Sequence, residues 1–492
     1  MARRSPMAKN GGNFSRTRAA HGTRPAISYQ LLSGPKDPAQ TLTWNDLHAR
    51  VTQAANLFRS LGVGETDVVA YVLPNCLETA VTLLAGATAG IVNPVNPLLE
   101  AEQISAILRE TKAKVVVTLR AFPKTDVPQK VAEAVRHAPS VKTVLEVDLV
   151  SYLTPPKSWI VPLVRPKNHL RHSANVLNFA TEVARQPADR LTFADRTTDH
   201  VAAYFHTGGT TGMPKVAQHK AQGMIYNGWL GARLLFRETD TVLCPLPLFH
   251  VFAAYPILMS MIASGAHVVF PTPAGYRGEG VFDNLWKLIE RWKVSYLVTV
   301  PTALSALMQR PINADISTLR GAFSGSAPLP IELFNRFEKA TGVQIVEGYG
   351  LTECTCLVSV NPPEGNKKIG SVGIPFPHTH VRILTSDGAG GVRDCGTDVV
   401  GEICVSNPGV FAGSTYTEVD KNRDLFAEGL YLRTGDLGAG HSHGHACADR
   451  DEQSQCQPQT AMLTTAVGRF AFIEISRGNL PGEAVANPGR VD

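Results

Sequence analysis

The sequence has few of the features that mark several large classes of protein. Its eight cysteines are spread thinly over 492 residues, whereas a disulfide-stabilised secreted protein concentrates them in a short chain. Cys76, Cys244 and Cys404 lie in apolar runs and are interpreted as buried thiols, which favours a reducing cytoplasm. No apolar run approaches the roughly 20 residues that a membrane-spanning helix needs.

The sequence also has little excess of charge of either sign. Lys and Arg number 47 against 42 Asp and Glu, a net charge of +5, and a nucleic-acid binder usually concentrates more positive charge on one face. A basic scaffold for nucleic acid is therefore not favoured. Residues 1–20 are basic but lack the apolar segment of a secretory signal, so we expect a disordered basic tail there.

The sequence does contain a long alternation of helix-like and strand-like segments, in two series of about 21–200 and 201–347. The predicted strands are 68–73, 91–95, 114–118, 201–206, 241–245, 266–270, 295–300, 319–324 and 343–346. The predicted helices are 42–62, 77–89, 101–110, 251–262, 281–291 and 330–340. Apolar strands alternating with helices are typical of parallel sheets covered on both faces, which predicts two α/β lobes.

The pattern changes twice in the last third of the chain. Between about 365 and 437 the runs are short, Gly-rich and alternating, which predicts a small β-barrel subdomain or antiparallel sheet. From residue 438 onward neither period is sustained, so 438–492 is expected to be an aberrant, disordered tail. Its His441, His443, His445 and Cys447 resemble a metal cluster in composition, but an unpatterned tail argues against a closed site.

The segment 151–175 mixes proline, aromatic, apolar and basic residues and breaks the first series. One interpretation is a surface connection between lobes. The other is a weak peripheral membrane contact through residues 155–167, because Trp159 and its apolar neighbours are flanked by lysine and arginine.

The strongest local motif is Thr-Gly-Gly-Thr-Thr-Gly-Met-Pro-Lys, placed directly after a predicted strand. Its glycines allow backbone N–H groups to point at an anion, and its hydroxyls and lysine suit a triphosphate. It is not a Walker A loop, because Met213 and Pro214 separate Gly212 from Lys215. A flexible turn is the alternative. The candidate phosphate-binding residues are Thr207, Gly208, Gly209, Thr210, Thr211, Gly212 and Lys215.

A second motif, Glu-Gly-Tyr-Gly-Leu-Thr-Glu at 347–353, also follows an apolar strand, and ligands of α/β sheets sit beyond such strand ends. Tyr349 offers a flat face to a purine ring. Thr352 offers a hydroxyl to an α-phosphate, and Glu353 is a hard oxygen ligand suited to Mg²⁺. The alternative is a buried strand-to-turn junction with a solvated glutamate.

These two motifs resemble those of the adenylate-forming superfamily, which includes acyl-CoA synthetases, peptide-synthetase adenylation domains and luciferases. Two later segments also match motifs of this superfamily in the same order. They are Ser-Gly-Ser-Ala-Pro-Leu at 324–329 and Tyr-Leu-Arg-Thr-Gly-Asp at 431–436. Earlier matches are Leu-Thr-Trp-Asn-Asp-Leu at 42–47 and Asn-Pro-Val-Asn-Pro at 93–97. The resemblance spans roughly residues 20–437 and implies a large AMP-binding domain at 21–437.

The resemblance also implies roles for individual residues. ATP, Mg²⁺ and coenzyme A are the implied ligands, together with a small carboxylic acid. The implied catalytic residues are Lys215, His250, Thr352 and Glu353. Further nucleotide ligands are Ser326, Ala327, Pro328, Gly348, Tyr349, Gly350 and Asp436, with Thr211 and Glu353 on magnesium. The implied acid pocket is Phe249, His250, Val300, Ser324 and Gly325, although His250 has the alternative of a satisfied core histidine.

Members of this superfamily continue past the Gly-Asp motif with a hinge and a small mobile domain that supplies a catalytic lysine. This sequence departs from that pattern at Ala439, and its last lysine is Lys421. A Val-Gly-Arg triplet at 467–469 resembles the hinge only superficially. We therefore expect acid activation to acyl-AMP and acyl-CoA, with impaired turnover. An amino-acid adenylation domain and a non-catalytic nucleotide-binding product remain open alternatives.

Overall fold

The computed structural model describes residues 10–166, 172–207, 214–388, 391–441 and 472–475. Its α-helices are α1 (Asn10–His21), α2 (Trp44–Ser60), α3 (Leu77–Ala89), α4 (Ala101–Glu110), α5 (Val127–Arg136), α6 (Lys157–Val164), α7 (Phe179–Ala184), α8 (Ala221–Leu234), α9 (Ser260–Ser264), α10 (Val281–Trp292), α11 (Pro301–Leu307) and α12 (Ile331–Thr341). A π-helix, Ala253–Met259, leads into α9.

The strands fall into three sheets. They are β1 (Pro25–Gln30), β2 (Ala39–Thr43), β3 (Val68–Val72), β4 (Ile91–Pro94), β5 (Ala113–Leu119), β6 (Thr143–Val147), β7 (Asn175–Asn178), β8 (Val201–Thr207), β9 (Lys215–Lys220), β10 (Thr241–Leu243) and β11 (His267–Pro271). The chain continues with β12 (Tyr296–Thr299), β13 (Gly321–Ser324), β14 (Gln344–Leu351), β15 (Cys356–Val360), β16 (Ile374–Pro375), β17 (His380–Ser386), β18 (Val392–Asp394), β19 (Gly401–Ser406), β20 (Phe426–Ala427), β21 (Tyr431–His441) and β22 (Phe472–Ile475).

The two larger sheets carry the α/β lobes that the sequence predicts. One has the strand order β7-β6-β5-β3-β4-β8-β9, and the other β16-β15-β14-β13-β12-β10-β11-β1-β2. Their central strands pair in parallel, and every residue of β3 is buried. Burial on both faces explains why these strands read as continuous apolar runs.

The predicted boundary between the lobes at residue 200 is wrong. Strands β1 and β2 precede α2 but join the second sheet, where Ile27 pairs with Val268. Strands β8 and β9 follow residue 200 but join the first sheet, where Val92 pairs with Ala203. Periodicity reports that a segment is a strand, but it carries no information about which distant strand will be its partner.

The third sheet confirms the antiparallel subdomain. Its strands pair in the order β18-β17-β19-β21-β20, with β22 against β21, and among the described strands no pairing closes it into a barrel. The expectation of disorder from residue 438 is wrong for residues 438–441 and 472–475. Strand β21 continues to His441 and pairs with β22, with Gly438 opposite Ile475. His443, His445 and Cys447 lie outside the described residues.

The N-terminal segment also differs from the expected disordered tail. Residues 10–20 belong to helix α1, which docks on the rest of the fold. The ring of Phe14 meets that of Trp44 edge-on at 6.3 Å, and Thr17 Oγ1 donates a 2.6 Å hydrogen bond to the carbonyl of Ile262. The segment has little helical periodicity of its own, so tertiary contacts rather than sequence pattern stabilise it.

Two further features concern the described part of the chain. Cys76, Cys244 and Cys404 are buried free thiols. No described helix is both long enough and apolar enough to cross a bilayer.

Candidate active site

The phosphate-binding motif lies in a hairpin between two strands of the first sheet. Thr207 ends β8, Lys215 begins β9, and the two residues pair across the antiparallel ladder. The loop 208–213 between them is outside the described residues, so the structure does not place Gly208, Gly209, Thr210, Thr211 or Gly212. The two flanking residues nevertheless fix where the loop leaves and re-enters the sheet.

The other motifs meet the hairpin at the edge of the second sheet. Strands β13 and β14 are parallel neighbours, with Ser324 opposite Glu347, so the carboxyl end of β13 lies beside the middle of β14, just before its Gly-Tyr-Gly segment. A cavity of about 500 Å³ opens between these strand ends and the hairpin. The predicted site residues that line it are Thr207, Lys215, His250, Ser324, Gly325, Ser326, Gly348, Tyr349, Gly350, Thr352 and Glu353.

Five predicted site residues are described but do not line this cavity: Phe249, Val300, Ala327, Pro328 and Asp436. Phe249 and Val300 are partly buried and pack against the main hydrophobic core. Ala327 and Pro328 lie exposed on the turn after β13. The roles that the family resemblance implies for these residues therefore stay predictions.

Asp436 is connected to the cavity by a hydrogen bond from Tyr349, which lines it. Tyr349 Oη donates a 2.6 Å hydrogen bond to Asp436 Oδ2, which ties the β subdomain to the carboxyl end of β14. Burial, reinforced by the nearby carboxylate, raises the pKa of Tyr349 well above its ordinary value. The phenol therefore stays protonated and donates to Asp436 throughout the neutral range.

Tyr416 is a site residue that the sequence analysis missed. Its hydroxyl donates a 2.6 Å hydrogen bond to Glu353 Oε1, and Lys215 Nζ lies 5.1 Å from the centre of its ring. Its backbone forms a bridge to Ala217 of β9. No local signal marks Tyr416, because it lies in an irregular segment and contacts the site only through tertiary folding.

Two histidines at this end of the sheet, His250 in the cavity lining and His206 next to Thr207, are neutral at neutral pH. His250 Nδ1 accepts a 3.3 Å hydrogen bond from the Phe252 backbone, which leaves its proton on Nε2. His250 faces the open cavity, but the surrounding protein desolvates it and lowers its pKa. Burial also lowers the pKa of His206 to about 4. Neutral imidazoles can donate to a carboxylate without adding charge to the site.

Ser324 indicates that the cavity receives a polar ligand. The residue is 2% exposed, lines the cavity, and its Oγ has no hydrogen-bond partner among the described residues. Buried hydroxyls in folded proteins are nearly always paired. A ligand oxygen or nitrogen within reach would satisfy this group.

The far part of the cavity is apolar. Its lining includes Leu235, Phe236, Phe323, Leu357, Val360 and Phe376. Among the described lining residues, Glu353 is the one carboxylate. The cavity therefore joins a charged end, suited to phosphates, to an apolar end suited to an uncharged carbon skeleton.

The donor set fits a magnesium ion that arrives with a nucleotide. Glu353 supplies one hard oxygen ligand, and Mg²⁺ typically takes one or two carboxylates together with phosphate oxygens and water. Within the described residues, no group of three or more His, Cys, Asp or Glu residues is arranged to hold a metal without such a ligand.

Comparison with known proteins identifies the family. Residues 14–433 match the family described as AMP-binding enzyme. The chain belongs to this AMP-binding family. It is 32% identical over 431 residues to a marinolic acid–CoA ligase of Pseudoalteromonas, and the match covers 85% of this chain and 62% of that protein. It is 30% identical over 413 residues to a long-chain-fatty-acid–CoA ligase of Bacillus subtilis, covering 81% and 70%.

Solved structures of other proteins share the fold. The N-terminal domain of FACL13 from Mycobacterium tuberculosis superposes with a TM-score of 0.70 at 21% identity, covering 95% of this chain and 99% of that one. A long-chain-fatty-acid-CoA ligase from Archaeoglobus fulgidus gives 0.74 at 18% identity, covering 96% and 85%. The chain spans less than two thirds of the length of the marinolic acid ligase.

Proposed function

We propose that the chain activates a carboxylic acid with ATP, forming acyl-AMP and pyrophosphate, and that coenzyme A then takes the acyl group and releases AMP. The observation that carries the proposal is the meeting of Lys215, Tyr349 and Glu353 around one cavity, with Asp436 hydrogen-bonded to Tyr349. These residues come from three separate motifs, and they supply a cation, a flat ring and two carboxylates. The relatives named as CoA ligases support the same chemistry.

In this proposal the nucleotide occupies the charged end of the cavity. Lys215 neutralises the β- and γ-phosphates together with the loop that precedes it. The purine lies against Tyr349, and Asp436 accepts from the ribose hydroxyls. Glu353 would hold Mg²⁺, which would neutralise charge on the phosphate oxygens.

The acid occupies the apolar end with its carboxylate towards the nucleotide. One carboxylate oxygen attacks the α-phosphorus in line, and the bond from that phosphorus to the pyrophosphate oxygen breaks. In the second step the thiol sulfur of coenzyme A attacks the acyl carbon, AMP leaves, and the thiol proton passes to solvent. The chain contributes mainly positioning and charge stabilisation, as in phosphoryl transfer generally.

A fatty or aryl acid fits the cavity better than an amino acid. An ammonium group buried beside Phe236 or Phe323 would need an acidic partner. Glu353 is the one described carboxylate of the lining, and it lies at the phosphate end. A pyrophosphate-exchange screen over fatty, aryl and amino acids tests this choice, and exchange confined to amino acids would overturn it.

Activation of the acid needs more than the described residues supply. Adenylation develops charge around the α-phosphate, and a lysine directed at that charge lowers the barrier. The printed sequence contains no lysine after Lys421, so residues 422–492 do not provide one. We therefore propose that residues 1–492 bind ATP and the acid but complete the reaction slowly. We also propose that the enzyme acts in the cytoplasm.

Calorimetric titration of MgATP tests the nucleotide site. Lys215→Ala and Glu353→Gln should each raise the dissociation constant about tenfold or more, because each removes a charge-assisted contact. Lys124→Ala is the matched control, since Lys124 is highly exposed and pairs with Glu279 on the surface. Unchanged binding in both site variants, with circular dichroism showing a folded protein, would remove the basis of the proposal.

A further inference from the structure

Helix α6 presents an apolar surface that no described residue covers. None of its eight residues is buried. The exposed fractions are 69% for Trp159, 50% for Ile160, 85% for Leu163 and 61% for Val164. Tryptophan is usually well buried in folded proteins, and contiguous exposed apolar groups generally mark a contact surface.

The fold holds α6 firmly at both ends. Before the helix, Tyr152 Oη donates to Glu78 Oε2 at 2.6 Å, and its ring meets that of Tyr29 at 4.7 Å. After the helix, Arg165 Nη2 lies 3.0 and 2.9 Å from the two carboxylate oxygens of Asp148. The chain between these anchors therefore leaves the body of the protein and returns to it.

Between these anchors the helix has little stability of its own in water. Eight residues are fewer than an isolated helix needs, and Pro162 inside it removes a backbone donor. With no fully buried side chain, α6 gains little from the core. An external apolar surface would supply the missing burial.

The charge of the surrounding sequence indicates what that surface is. Residues 149–181 contain four Lys or Arg and no Asp or Glu. Of these four, Arg165 is neutralised by Asp148, Lys157 is exposed on the helix, and Lys167 and Arg171 lie outside the described residues. The remaining positive charge favours an anionic partner. A short helix with tryptophan and aliphatic residues beside basic residues is suited to the headgroup region of an anionic bilayer.

We propose that α6 is a peripheral membrane anchor, and that Trp159, Ile160, Leu163 and Val164 insert at the boundary between lipid headgroups and acyl chains. A second copy of the chain fits less well, because stable protein interfaces use roughly 20–30 residues a side and this surface offers four apolar ones. The anchor is independent of the proposed function and would operate without catalysis.

Sedimentation with sucrose-loaded vesicles tests the anchor. The full chain should pellet with vesicles of phosphatidylcholine and phosphatidylglycerol, and less with phosphatidylcholine alone. Leu163→Ser should reduce partitioning on the order of tenfold, since it removes one large apolar group that the bilayer would bury. Lys157→Glu should reduce binding to the anionic vesicles only. Val419→Ser is the matched control, because Val419 is 83% exposed elsewhere on the surface and should bind like wild type.

Fluorescence locates the contact. Brominated phospholipids should quench the emission of Trp159, and Trp159→Phe should keep vesicle binding but lose that part of the quenching. Absence of sedimentation, or equal losses in the Leu163→Ser and Val419→Ser proteins, would overturn the proposal. A concentration-dependent dimer that Leu163→Ser abolishes, without vesicle binding, would overturn it in favour of self-association.

Discussion

The hydroxyl of Tyr416 donates a 2.6 Å hydrogen bond to Oε1 of Glu353. The same phenol ring lies 5.1 Å from Lys215 Nζ, so one side chain contacts both the expected metal ligand and the expected phosphate ligand. Burial and the charge of Glu353 raise the pKa of the phenol. Tyr416 therefore remains a hydrogen-bond donor and fixes the orientation of the carboxylate.

We expect Tyr416→Phe to weaken the response to magnesium. The substitution removes the hydrogen bond to Glu353 but keeps the ring beneath Lys215, and a hydrogen bond to a charged group contributes about 1.5–3 kcal/mol. The concentration of Mg²⁺ needed for half-maximal ATP binding should rise about tenfold. A titration of Mg²⁺ at fixed ATP measures it.

Tyr416→Ala supplies the comparison. It also removes the ring from Lys215, so it should lower ATP affinity beyond the effect of Tyr416→Phe, by the amount of a cation–π contact of about 0.5–2 kcal/mol. If Tyr416→Phe needs no more magnesium than wild type, the hydroxyl does not orient Glu353 during binding.

Asp436→Asn tests the contact between the β subdomain and the ribose. The asparagine keeps the size of the side chain but is uncharged. It is therefore a weaker acceptor for the hydrogen bonds from Tyr349 and from the expected ribose hydroxyls. ATP affinity should fall about tenfold, as for loss of a charge-assisted hydrogen bond. Binding is measured with ATP and with 2′,3′-dideoxy-ATP.

The two nucleotides separate a direct from an indirect role. If Asp436 contacts the ribose, Asp436→Asn should cost much less affinity for the dideoxy analogue, which has no hydroxyls to lose. An equal loss for both nucleotides would mean that Asp436 acts through Tyr349 alone.

Local elements were predictable wherever one face of the segment is buried. Helices α3 and α4 have the predicted bounds, 77–89 and 101–110, because their apolar spacing matches the observed burial. Strand β14 was predicted to end at residue 346 but runs to Leu351, through the Gly-Tyr-Gly motif. Glycine is uncommon inside strands, so the motif predicts a turn. In the structure the missing side chain of Gly350 lets the backbone of β15 approach closely.

Long-range arrangement was predictable only in part. The rule that ligands lie beyond strand ends correctly brought Lys215, Tyr349 and Glu353 together. It gave no means of finding Tyr416, whose segment has neither period nor motif. The predicted helix 251–262 is largely a π-helix, Ala253–Met259, because packing rather than periodicity decides the hydrogen-bond register there.

Gly350 should not tolerate a side chain. A Cβ at this position would lie 1.8 Å from the carbonyl oxygen of Cys356, which belongs to the backbone and cannot move without breaking the β14–β15 ladder. Gly350→Ala should therefore destabilise the fold by about 1–3 kcal/mol or more, as overpacking does, and should weaken ATP binding. Chemical denaturation measures the first effect.

Gly348→Ala is the matched control on the same strand. Its Cβ would meet the Ser359 carbonyl at 3.4 Å, an ordinary contact distance. Gly348→Ala should unfold close to the wild-type denaturant concentration. If both substitutions lowered the free energy of unfolding equally, the close approach of Cys356 would not be the reason that Gly350 is needed for stability.

His219 should make the fold sensitive to acid. Its Nε2 donates to the Thr352 carbonyl at 2.7 Å, and its Nδ1 accepts from Tyr255 Oη at 2.9 Å. Burial lowers the pKa of His219 to about 4, whereas an unfolded histidine has a pKa of about 6.5. Between these values the unfolded chain binds a proton that the folded chain does not, so the free energy of unfolding falls as pH decreases from about 6.5 to about 4.

The variant His219→Gln isolates this contribution. Glutamine keeps a donor and an acceptor but does not titrate, so the variant should be less stable at pH 7 through lost packing against Phe205. Its free energy of unfolding should nevertheless decline less steeply with falling pH, by up to about 1.4 kcal/mol per pH unit within that window. Urea unfolding at several pH values gives both slopes. Parallel slopes for the two proteins would mean that His219 is already protonated in the folded state or never titrates on unfolding, and either result would contradict the neutral, hydrogen-bonded imidazole beneath Thr352.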